Sequence, residues 1–268
     1  MNIVVVSNRV ARAKSSEPVM GGLAAALLPA VKNFGAVWVG SSGKFNAPSD
    51  KDSFAKVEAL GTGALATIDL PKEHYLRYYE GFANSALWPT LHSRSDLIRV
   101  SQDDYASYRY INAYMARALL HFCQPDAIYW VQDYHFLTLG QELRKLGVRQ
   151  RIGFFLHTPW PAYSVMVGVP QHRELVQAML DYDLIGFQTP ADRRNFAEYV
   201  TEVLGGKVVD GHVLTENRTC RLETFPIGID ADDFAARAVV AASKSAEVTR
   251  LRDSLHDERL IIGVDRVD

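Results

Sequence analysis

The sequence is short of cysteine, of long apolar runs and of charge of one sign, and each shortage excludes a class of protein. Its two cysteines, Cys123 and Cys220, lie far apart and lack the spacing of a metal site. Free thiols suit a reducing compartment, so we expect a cytoplasmic protein. No apolar run approaches the length that crosses a bilayer, and the first ten residues contain no basic leader. A net charge of −2 gives no electrostatic reason to expect a nucleic-acid partner.

The signatures of several common enzyme classes are also missing. The dinucleotide fingerprint Gly-x-Gly-x-x-Gly does not follow the first predicted strand, and no phosphate loop ending in Gly-Lys-Ser/Thr occurs. These absences argue against an NAD enzyme and an NTPase. No glycosidase-like pair of carboxylates and no cluster of metal ligands stands out. We therefore expect small-molecule partners and no nucleic acid or membrane, and the sequence leaves a homo-oligomer open.

What is present is an alternation of strand-like and helix-like segments. A helix is predicted at 101–122, where Ser101 and Asp104 can form a capping box. The other predicted helices are 21–34, 139–147, 171–181, 190–205 and a helical stretch at 232–256; the predicted strands are 2–7, 36–42, 65–70, 127–132, 151–157, 184–188, irregular strands within 207–227, and a terminal run at 260–264. Repeated β-α-β units predict an α/β fold, a Rossmann-like parallel sheet with helices on both faces.

Polar side chains follow several of these strands at the point where each strand ends. They are Arg9, Asp133, His157 and the pair Gln188-Thr189. Because ligands bind outside the carboxyl ends of parallel strands, this convergence predicts a small-molecule site. Each residue alone also has a plainer interpretation: a surface arginine, a helix cap or a hydrogen-bonded structural histidine.

Two adjacent glycines, Gly21 and Gly22, open the first predicted helix. A backbone without β-carbons lets a diphosphate approach the N–H groups at a helix start, although a plain turn is the commoner reason for such a pair. Two aromatic residues, Tyr79 in RYYEGF and Trp88 in ALWP, are most simply interpreted as side chains of the hydrophobic core.

A set of longer motifs runs in one order along residues 3–268: VVVSNRV, GGLA, YYEGFANSALWP, WVQDYHFL, RIGFFLHTPWP, DLIGFQT, FPIGID and GVDRVD. The ordered set resembles the trehalose-6-phosphate synthases, retaining glycosyltransferases of family 20 with the two-Rossmann-domain (GT-B) fold. The resemblance implies transfer of glucose from UDP-glucose, or a related nucleotide sugar, to glucose 6-phosphate. The product would be trehalose 6-phosphate, formed with retention of configuration and without a metal or cofactor.

The resemblance also assigns roles to residues of this sequence. The glucose 6-phosphate acceptor would contact Arg9, Tyr79, Trp88 and Asp133, and the UDP-glucose donor would contact Gly21, Gly22, His157 and Arg266. Asp133, His157 and Arg266 would be the catalytic residues, and Trp88 and Thr158 would select the anomer of the acceptor. The sequence departs from the family pattern at Ser41, Gln132 and Thr158, where relatives often carry tryptophan, histidine and an aliphatic residue.

The same resemblance divides the chain into parts. Residues 1–230 would form the N-terminal, acceptor-binding Rossmann-like domain of a GT-B enzyme, and 231–258 a helical connection. Residues 259–268 would be the first strand of a truncated donor-binding domain, so we expect this chain to be a fragment that is inactive alone. Three alternatives stay open: a related transferase with another acceptor such as glycerol 3-phosphate, a non-catalytic phosphosugar-binding module, and a metal-dependent hydrolase built from Asp133, His135 and His157.

Overall fold

The N-terminal run NIVVVSNR forms an interior strand of the sheet, because its β-branched residues suit extended backbone that is buried on both faces. The structure is a computed structural model that describes residues 2–10, 27–28, 31–46, 56–215, 218–256 and 258–263. The strands of these residues form one sheet. They are β1 (Asn2–Arg9), β2 (Val37–Asn46), β3 (Lys56–Leu60), β4 (Gly63–Pro71), β5 (Ala127–Gln132), β6 (Arg151–Phe155), β7 (Leu184–Phe187), β8 (Lys207–Val209), β9 (His212–Leu214) and β10 (Thr219–Thr224).

The predicted parallel sheet is confirmed. The strand order is β3-β4-β2-β1-β5-β6-β7-β10-β9-β8, and the strands from β4 to β10 in this order are mutually parallel. Antiparallel pairing occurs at the two edges, through β3 and through the β8–β9 hairpin. Asp210 and Gly211 form the two-residue turn of that hairpin, both with positive φ, as the Asp-Gly pair predicts. The edge strand β3 had no counterpart in the sequence predictions, since its mostly exposed residues carry little apolar alternation.

Helices cover both faces of the sheet. The helices are α1 (Lys72–Leu76), a π-helix (Arg77–Leu87), α2 (Trp88–Leu91), α3 (Gln102–Leu119), α4 (Leu139–Lys145), α5 (Tyr163–Met166), α6 (His172–Met179), α7 (Pro190–Glu202), α8 (Ala231–Lys244) and α9 (Ala246–Ser254). Val4 and Val6 of β1 face the apolar core that contains α3, whereas Val5 faces a second core that contains the helical residues Leu27 and Val31. Alternate residues of one strand thus anchor helices on opposite faces.

Helix α3 begins as its sequence predicts. The Ser101 hydroxyl accepts a hydrogen bond from the backbone N–H of Asp104 at 3.4 Å and so caps the helix. The apolar stripe of α3 is buried at Tyr108, Ile111 and Met115, and the helix ends in a short 3₁₀ turn at Leu120–Phe122. The helix shares its core with Val4 and Val6 of β1, and the Tyr108 hydroxyl donates to the carbonyl of Tyr134, just after β5, at 2.8 Å.

Arg109 of α3 joins three helices through partly buried ion pairs. Its guanidinium contacts Glu142 of α4 at 2.7 Å and also pairs with Glu174 of α6. The side chains of Arg109 and Glu142 are only 21% and 13% exposed. Glu142 also pairs with Lys145 at 2.9 Å, but the Lys145 side chain is 54% exposed, so Arg109 is the partly buried cation of this carboxylate.

We expect Arg109→Ala to lower the free energy of unfolding by about 1–3 kcal/mol, because Glu142 would stay partly buried with only the exposed Lys145 as its cation. The measurement is chemical denaturation at pH 7. The matched control is Arg94→Ala, since the Arg94–Asp96 pair is 55% and 61% exposed and should leave the denaturation midpoint unchanged. Equal midpoints for both variants would contradict a stabilising role for Arg109.

The chain divides into two compact units, Met1–Pro226 and Ile227–Asp268. In the second unit the predicted helical stretch is two helices, because Ser245 has extended backbone that ends α8 and its hydroxyl caps α9. The described residues 258–263 contain no strand, and the rest of the predicted terminal strand lies outside the described residues. The assignment of 259–268 to a second Rossmann domain therefore stays a prediction. No helix of the described part is both long and apolar enough to cross a membrane.

Candidate active site

The ends of β1, β5 and β6 meet at one edge of the sheet, where the sequence predicts a site. The backbone N–H of Asp133, directly after β5, donates to the carbonyl of Phe155 in β6 at 2.8 Å. Asn8, at the end of β1, accepts a hydrogen bond from the Tyr78 hydroxyl at 2.9 Å. The predicted convergence of these strand ends thus has a direct structural counterpart.

Asp133 has a backbone conformation that side chains rarely adopt. Its φ is 73° and its ψ is 168°. This region is populated almost only by glycine, and a residue held there stores about 1–3 kcal/mol of strain. Strain of this size persists where the surroundings over-determine it, which is common at functional sites. The interpretation of Asp133 as a simple cap does not account for it.

The carboxylate of Asp133 is held by backbone N–H groups. Its Oδ1 accepts from Tyr134 at 3.0 Å and from His157 at 3.3 Å, and the backbone of Thr158 also contributes a hydrogen bond. Burial raises the pKa of Asp133 to about 6, because desolvation outweighs these hydrogen bonds. The carboxylate is therefore positioned, ionised at pH 7 and able to accept a further hydrogen bond.

His157 lies beside Asp133 with its ring orientation set by Gln132. The Gln132 amide nitrogen donates to the carbonyl of Trp130 at 3.2 Å, so its oxygen is left to accept from the His157 Nε2–H at 3.0 Å. Nδ1 of His157 then carries a lone pair. Burial lowers the pKa of His157 to about 4, so the ring is neutral at pH 7.

Tyr79 joins this edge through a stack of rings. Its ring lies parallel to that of His135 at 5.6 Å between centroids and to that of Tyr75 at 5.5 Å. Burial lowers the pKa of His135 to about 3, and its Nε2 has no partner among the described residues. Sequence reasoning gave His135 only the role of a metal ligand. Its packing against Tyr79 could not be read from spacing alone.

Arg9 lies at the far end of this stack. Burial and the neighbouring Tyr79 raise the pKa of Tyr75, while the positive charge of Arg9 lowers it, which places the guanidinium near Tyr75. Among the described residues no carboxylate pairs with Arg9, and the side chain is exposed. An exposed guanidinium beside an aromatic stack can bind a phosphate group.

Two glycines of β2 shape the position of Arg9. The β1–β2 register shifts between Val6 and Arg9, and there a β-carbon on Gly40 would lie 2.4 Å from the Ser7 carbonyl oxygen. At Gly43, whose φ is 77°, a β-carbon would lie 2.7 Å from Nη2 of Arg9. Neither glycine stood out in the sequence, because the close approach exists only once β1 and β2 are paired.

We expect Gly43→Ala to weaken the binding of a phosphorylated ligand by roughly tenfold, because the new methyl group displaces the guanidinium of Arg9 from its position. The positive φ adds a stability cost of about 1 kcal/mol. Calorimetric titration measures the change in affinity, and chemical denaturation measures the change in stability. Gly147→Ala is the control, since Gly147 also has positive φ (84°) but a β-carbon there meets no atom within 4 Å. If both variants changed the affinity for the phosphorylated ligand equally, Gly43 would have no special relation to Arg9.

A π-helix, not predicted from the sequence, carries Tyr79 and leads directly into Trp88. An α-helix turns by about 100° per residue, so residues nine apart would face opposite sides. The wider π-helix, with roughly 4.4 residues per turn, brings residues nine apart back to the same side after two turns. Burial follows this wider period, since the fully buried residues recur at Tyr78, Phe82–Ala83 and Ala86–Leu87. That spacing of apolar residues by four and five is the sequence signal that could have revealed the helix.

The other predicted site residues are placed less directly. Trp88 is partly buried and stacks on His92, with ring centroids 4.0 Å apart. Thr158 is partly buried, and its hydroxyl oxygen has no partner among the described residues. Gly21, Gly22 and Arg266, predicted for the donor, lie outside the described residues.

The hypothesis of a metal-dependent hydrolase finds no support in the geometry. Within the described part of the chain, no three histidine, cysteine, aspartate or glutamate side chains lie together in a group that could hold a metal ion. In particular, Nε2 of His157 is directed at Gln132, and His135 is packed between Tyr79 and Tyr134.

Comparison with known proteins identifies the family of this chain. Residues 2–268 match the model of glycosyltransferase family 20. The chain is 36% identical over 274 residues to the trehalose-6-phosphate synthase of Enterobacter sp. (strain 638), covering 99% of this chain and 55% of that protein.

Solved structures agree. An α,α-trehalose-phosphate synthase (UDP-forming) from Burkholderia vietnamiensis superposes with a TM-score of 0.92 at 40% identity, covering 100% of this chain and 57% of that one. One from Burkholderia xenovorans, in complex with glucose-6-phosphate, has a TM-score of 0.86 at 38% identity, and the match covers 96% of this chain and 56% of that one. The chain spans little more than half the length of these relatives. It belongs to glycosyltransferase family 20.

Proposed function

We propose that this chain is the acceptor-binding half of a trehalose-6-phosphate synthase, which transfers glucose from UDP-glucose or a related nucleotide sugar to glucose 6-phosphate. The observation that carries the proposal is the partly buried carboxylate of Asp133, on a strained backbone beside His157, in a chain that matches family 20 over residues 2–268. Relatives support the substrates, since one is in complex with glucose-6-phosphate and another is bound with UDP-2-fluoro glucose.

The acceptor would lie along the row of side chains from Arg9 to Asp133. The guanidinium of Arg9 would bind the phosphate, and Tyr79 and Trp88 would contact the sugar. Asp133, ionised at pH 7, would accept a hydrogen bond from a sugar hydroxyl and so orient the attacking anomeric oxygen. Holding that oxygen close to the donor carbon removes much of the entropic barrier to transfer.

The reaction exchanges one glycosidic bond for another. The bond between the glucose anomeric carbon and the UDP oxygen breaks, and a bond from that carbon to the acceptor oxygen forms on the same face. The proton of the acceptor hydroxyl passes to the leaving diphosphate. His157, held neutral by burial, would position the donor glucose by hydrogen bonding through Nδ1. Gly21, Gly22 and Arg266 would face the donor phosphates, and Thr158 with Trp88 would select the acceptor anomer.

The remaining parts of the proposal concern the whole protein. The first 230 residues would be the acceptor domain, 231–258 a helical connection, and 259–268 the start of the donor domain. The enzyme would need no metal or other cofactor, act in the cytoplasm and have only small-molecule partners, apart from copies of itself. Undiminished transfer in the presence of a chelator would support the absence of a metal requirement.

The test is UDP release by the longest polypeptide that the gene encodes. UDP-glucose and glucose 6-phosphate should together give UDP and trehalose 6-phosphate, whereas either substrate alone should not. Replacing glucose 6-phosphate by glycerol 3-phosphate distinguishes the related transferases. Failure with every nucleotide sugar would overturn the proposed activity.

A second function follows from the length of the chain. Because it covers just over half of its relatives, the 268-residue polypeptide alone could bind a phosphosugar without turning it over. Calorimetry with glucose 6-phosphate on this polypeptide would detect binding, and the lack of UDP release by it would confirm that turnover needs the other half.

A further inference from the structure

A row of partly buried side chains, spaced by four and five residues, runs from α1 through the π-helix to the first residue of α2. The row consists of Tyr75, Tyr79, Asn84 and Trp88. Tyr79 and Trp88 already have proposed contacts with the acceptor sugar, and Arg9 lies near Tyr75 at one end. Asn84 lies between Tyr79 and Trp88 on the same side, in the stretch of the row that would face the sugar ring.

In the carboxamide of Asn84 the oxygen has a hydrogen-bond partner, whereas the nitrogen has none among the described residues. The Tyr134 hydroxyl donates to its Oδ1 at 3.0 Å, and Tyr134 directly follows Asp133 in the chain. Because the oxygen is occupied by this donor, the amide is oriented with its NH₂ group pointing elsewhere. Among the described residues, no acceptor pairs with that NH₂ group.

The position of Asn84 is linked to the site from two directions. The Tyr134 ring stacks on His135 at 4.2 Å between centroids, and His135 stacks on Tyr79. The amide is thus fixed by the same cluster that holds Tyr79 and Asp133. An oriented donor between two sugar-contacting aromatic residues suits a sugar hydroxyl, which accepts hydrogen bonds through its oxygen lone pairs.

We propose that Asn84 is an acceptor-binding residue, whose NH₂ group donates a hydrogen bond to a ring hydroxyl of the phosphosugar. The proposal rests on the proposed function of this site. Asn84 would oppose the carboxylate of Asp133, which can only accept hydrogen bonds, so that the sugar is bound by one donor and one acceptor. Neither spacing nor residue type predicts this role, because an α-helix would place Asn84 about 140° away from Tyr79.

The first test compares variants of the full-length enzyme. Asn84→Asp keeps the oxygen that Tyr134 needs but replaces the NH₂ donor by a second oxygen, so the KM for glucose 6-phosphate should rise by at least about tenfold. Asn84→Ser removes the carboxamide without adding a negative charge, so it should raise the KM for glucose 6-phosphate by a smaller factor, roughly three- to tenfold. The KM for UDP-glucose should stay within about twofold, since the proposal assigns Asn84 to the acceptor and not to the donor. Thermal unfolding of each variant shows that it is folded.

The matched control is Ser85→Ala. Ser85 lies next to Asn84, and its hydroxyl donates to the Glu80 carbonyl at 2.7 Å on the same helix. If Asn84 only braced the helix, Ser85→Ala and Asn84→Ser would have similar small effects on both substrates. That result, or an unchanged acceptor KM in Asn84→Asp, would overturn the proposal.

A second measurement identifies the contacted hydroxyl. Glucose 6-phosphate analogues that lack the 2-, 3- or 4-hydroxyl should each bind wild-type enzyme more weakly, but one of them should lose no further affinity in Asn84→Ser. Additive losses at all three positions would contradict a direct hydrogen bond. Failure of wild-type enzyme to use glucose 6-phosphate at all would instead overturn the proposed function.

Discussion

Asp133→Asn should lower kcat for glucosyl transfer by about 100-fold or more while making the folded protein more stable at pH 7. Asparagine keeps the shape of the side chain, so it carries the same backbone strain as aspartate, and its oxygen still accepts the backbone hydrogen bonds. It cannot accept as strongly from the attacking hydroxyl, because charge-assisted hydrogen bonds are roughly twice as strong as neutral ones. It also removes a charge that burial disfavours.

The stability gain should depend on pH in a defined window. Burial raises the pKa of Asp133 from 3.8 to about 6, so between these values the folded protein binds more protons at this group than the unfolded chain does. The stabilising contribution of the protonated group is full below pH 3.8 and is lost as pH rises through 6. The difference in unfolding free energy between Asp133→Asn and wild type should therefore grow over this range and level above it, at about 1–2 kcal/mol after allowance for partial exposure.

Backbone strain at the same residue can be measured separately. Asp133→Gly and Asp133→Ala both lose the carboxylate, but only glycine adopts a φ of 73° with a ψ of 168° without strain. Glycine should therefore be the more stable of the two by about 1–3 kcal/mol in chemical denaturation. Equal stability of these variants would show that the backbone is not strained. Retention of full activity in Asp133→Asn would remove the carboxylate from the reaction.

Arg9→Ala should weaken the binding of glucose 6-phosphate by roughly 10- to 100-fold, because a hydrogen-bonded charge pair with the phosphate is lost. Calorimetry gives the affinity directly. Arg9→Lys should recover only part of it, since an ammonium group keeps the charge but cannot form the two-pronged contact of a guanidinium. The affinity of wild-type protein should also fall as salt is raised, by screening of an exposed charge.

Two comparisons make the expectation specific to phosphate. Arg77→Ala removes the same charge from the start of the π-helix, where Arg77 pairs with Asp103 at 3.0 Å, and should leave affinity nearly unchanged. Unphosphorylated glucose should bind wild type and Arg9→Ala equally weakly. An unchanged affinity for glucose 6-phosphate in Arg9→Ala would place the phosphate elsewhere.

The fold was predictable where periodicity is local and strong. The alternation from residue 127 onward predicted the strands β5, β6 and β7 and the helices between them. Each buried strand is a short apolar run and each amphipathic helix has a helical hydrophobic period, and both patterns can be recognised within the segment itself. The short edge strand β3 and the break at Ser245 were missed, since an exposed edge and a single capping residue leave little pattern. The polar strand ends at Asp133 and His157 were predicted to converge, and a hydrogen bond from the His157 backbone N–H to the Asp133 carboxylate joins them.

The sequence by itself determined the parallel sheet and the family, because hydrophobic periodicity and ordered motifs are local patterns that can be recognised along the chain without knowledge of tertiary contacts. Only the tertiary structure decided the strain at Asp133, the close approach of Gly43 to Arg9 and the hydrogen bond from Tyr134 to Asn84. Each of these arises when segments distant in sequence are packed together, and packing selects a backbone conformation or a helix period that local preference would not choose.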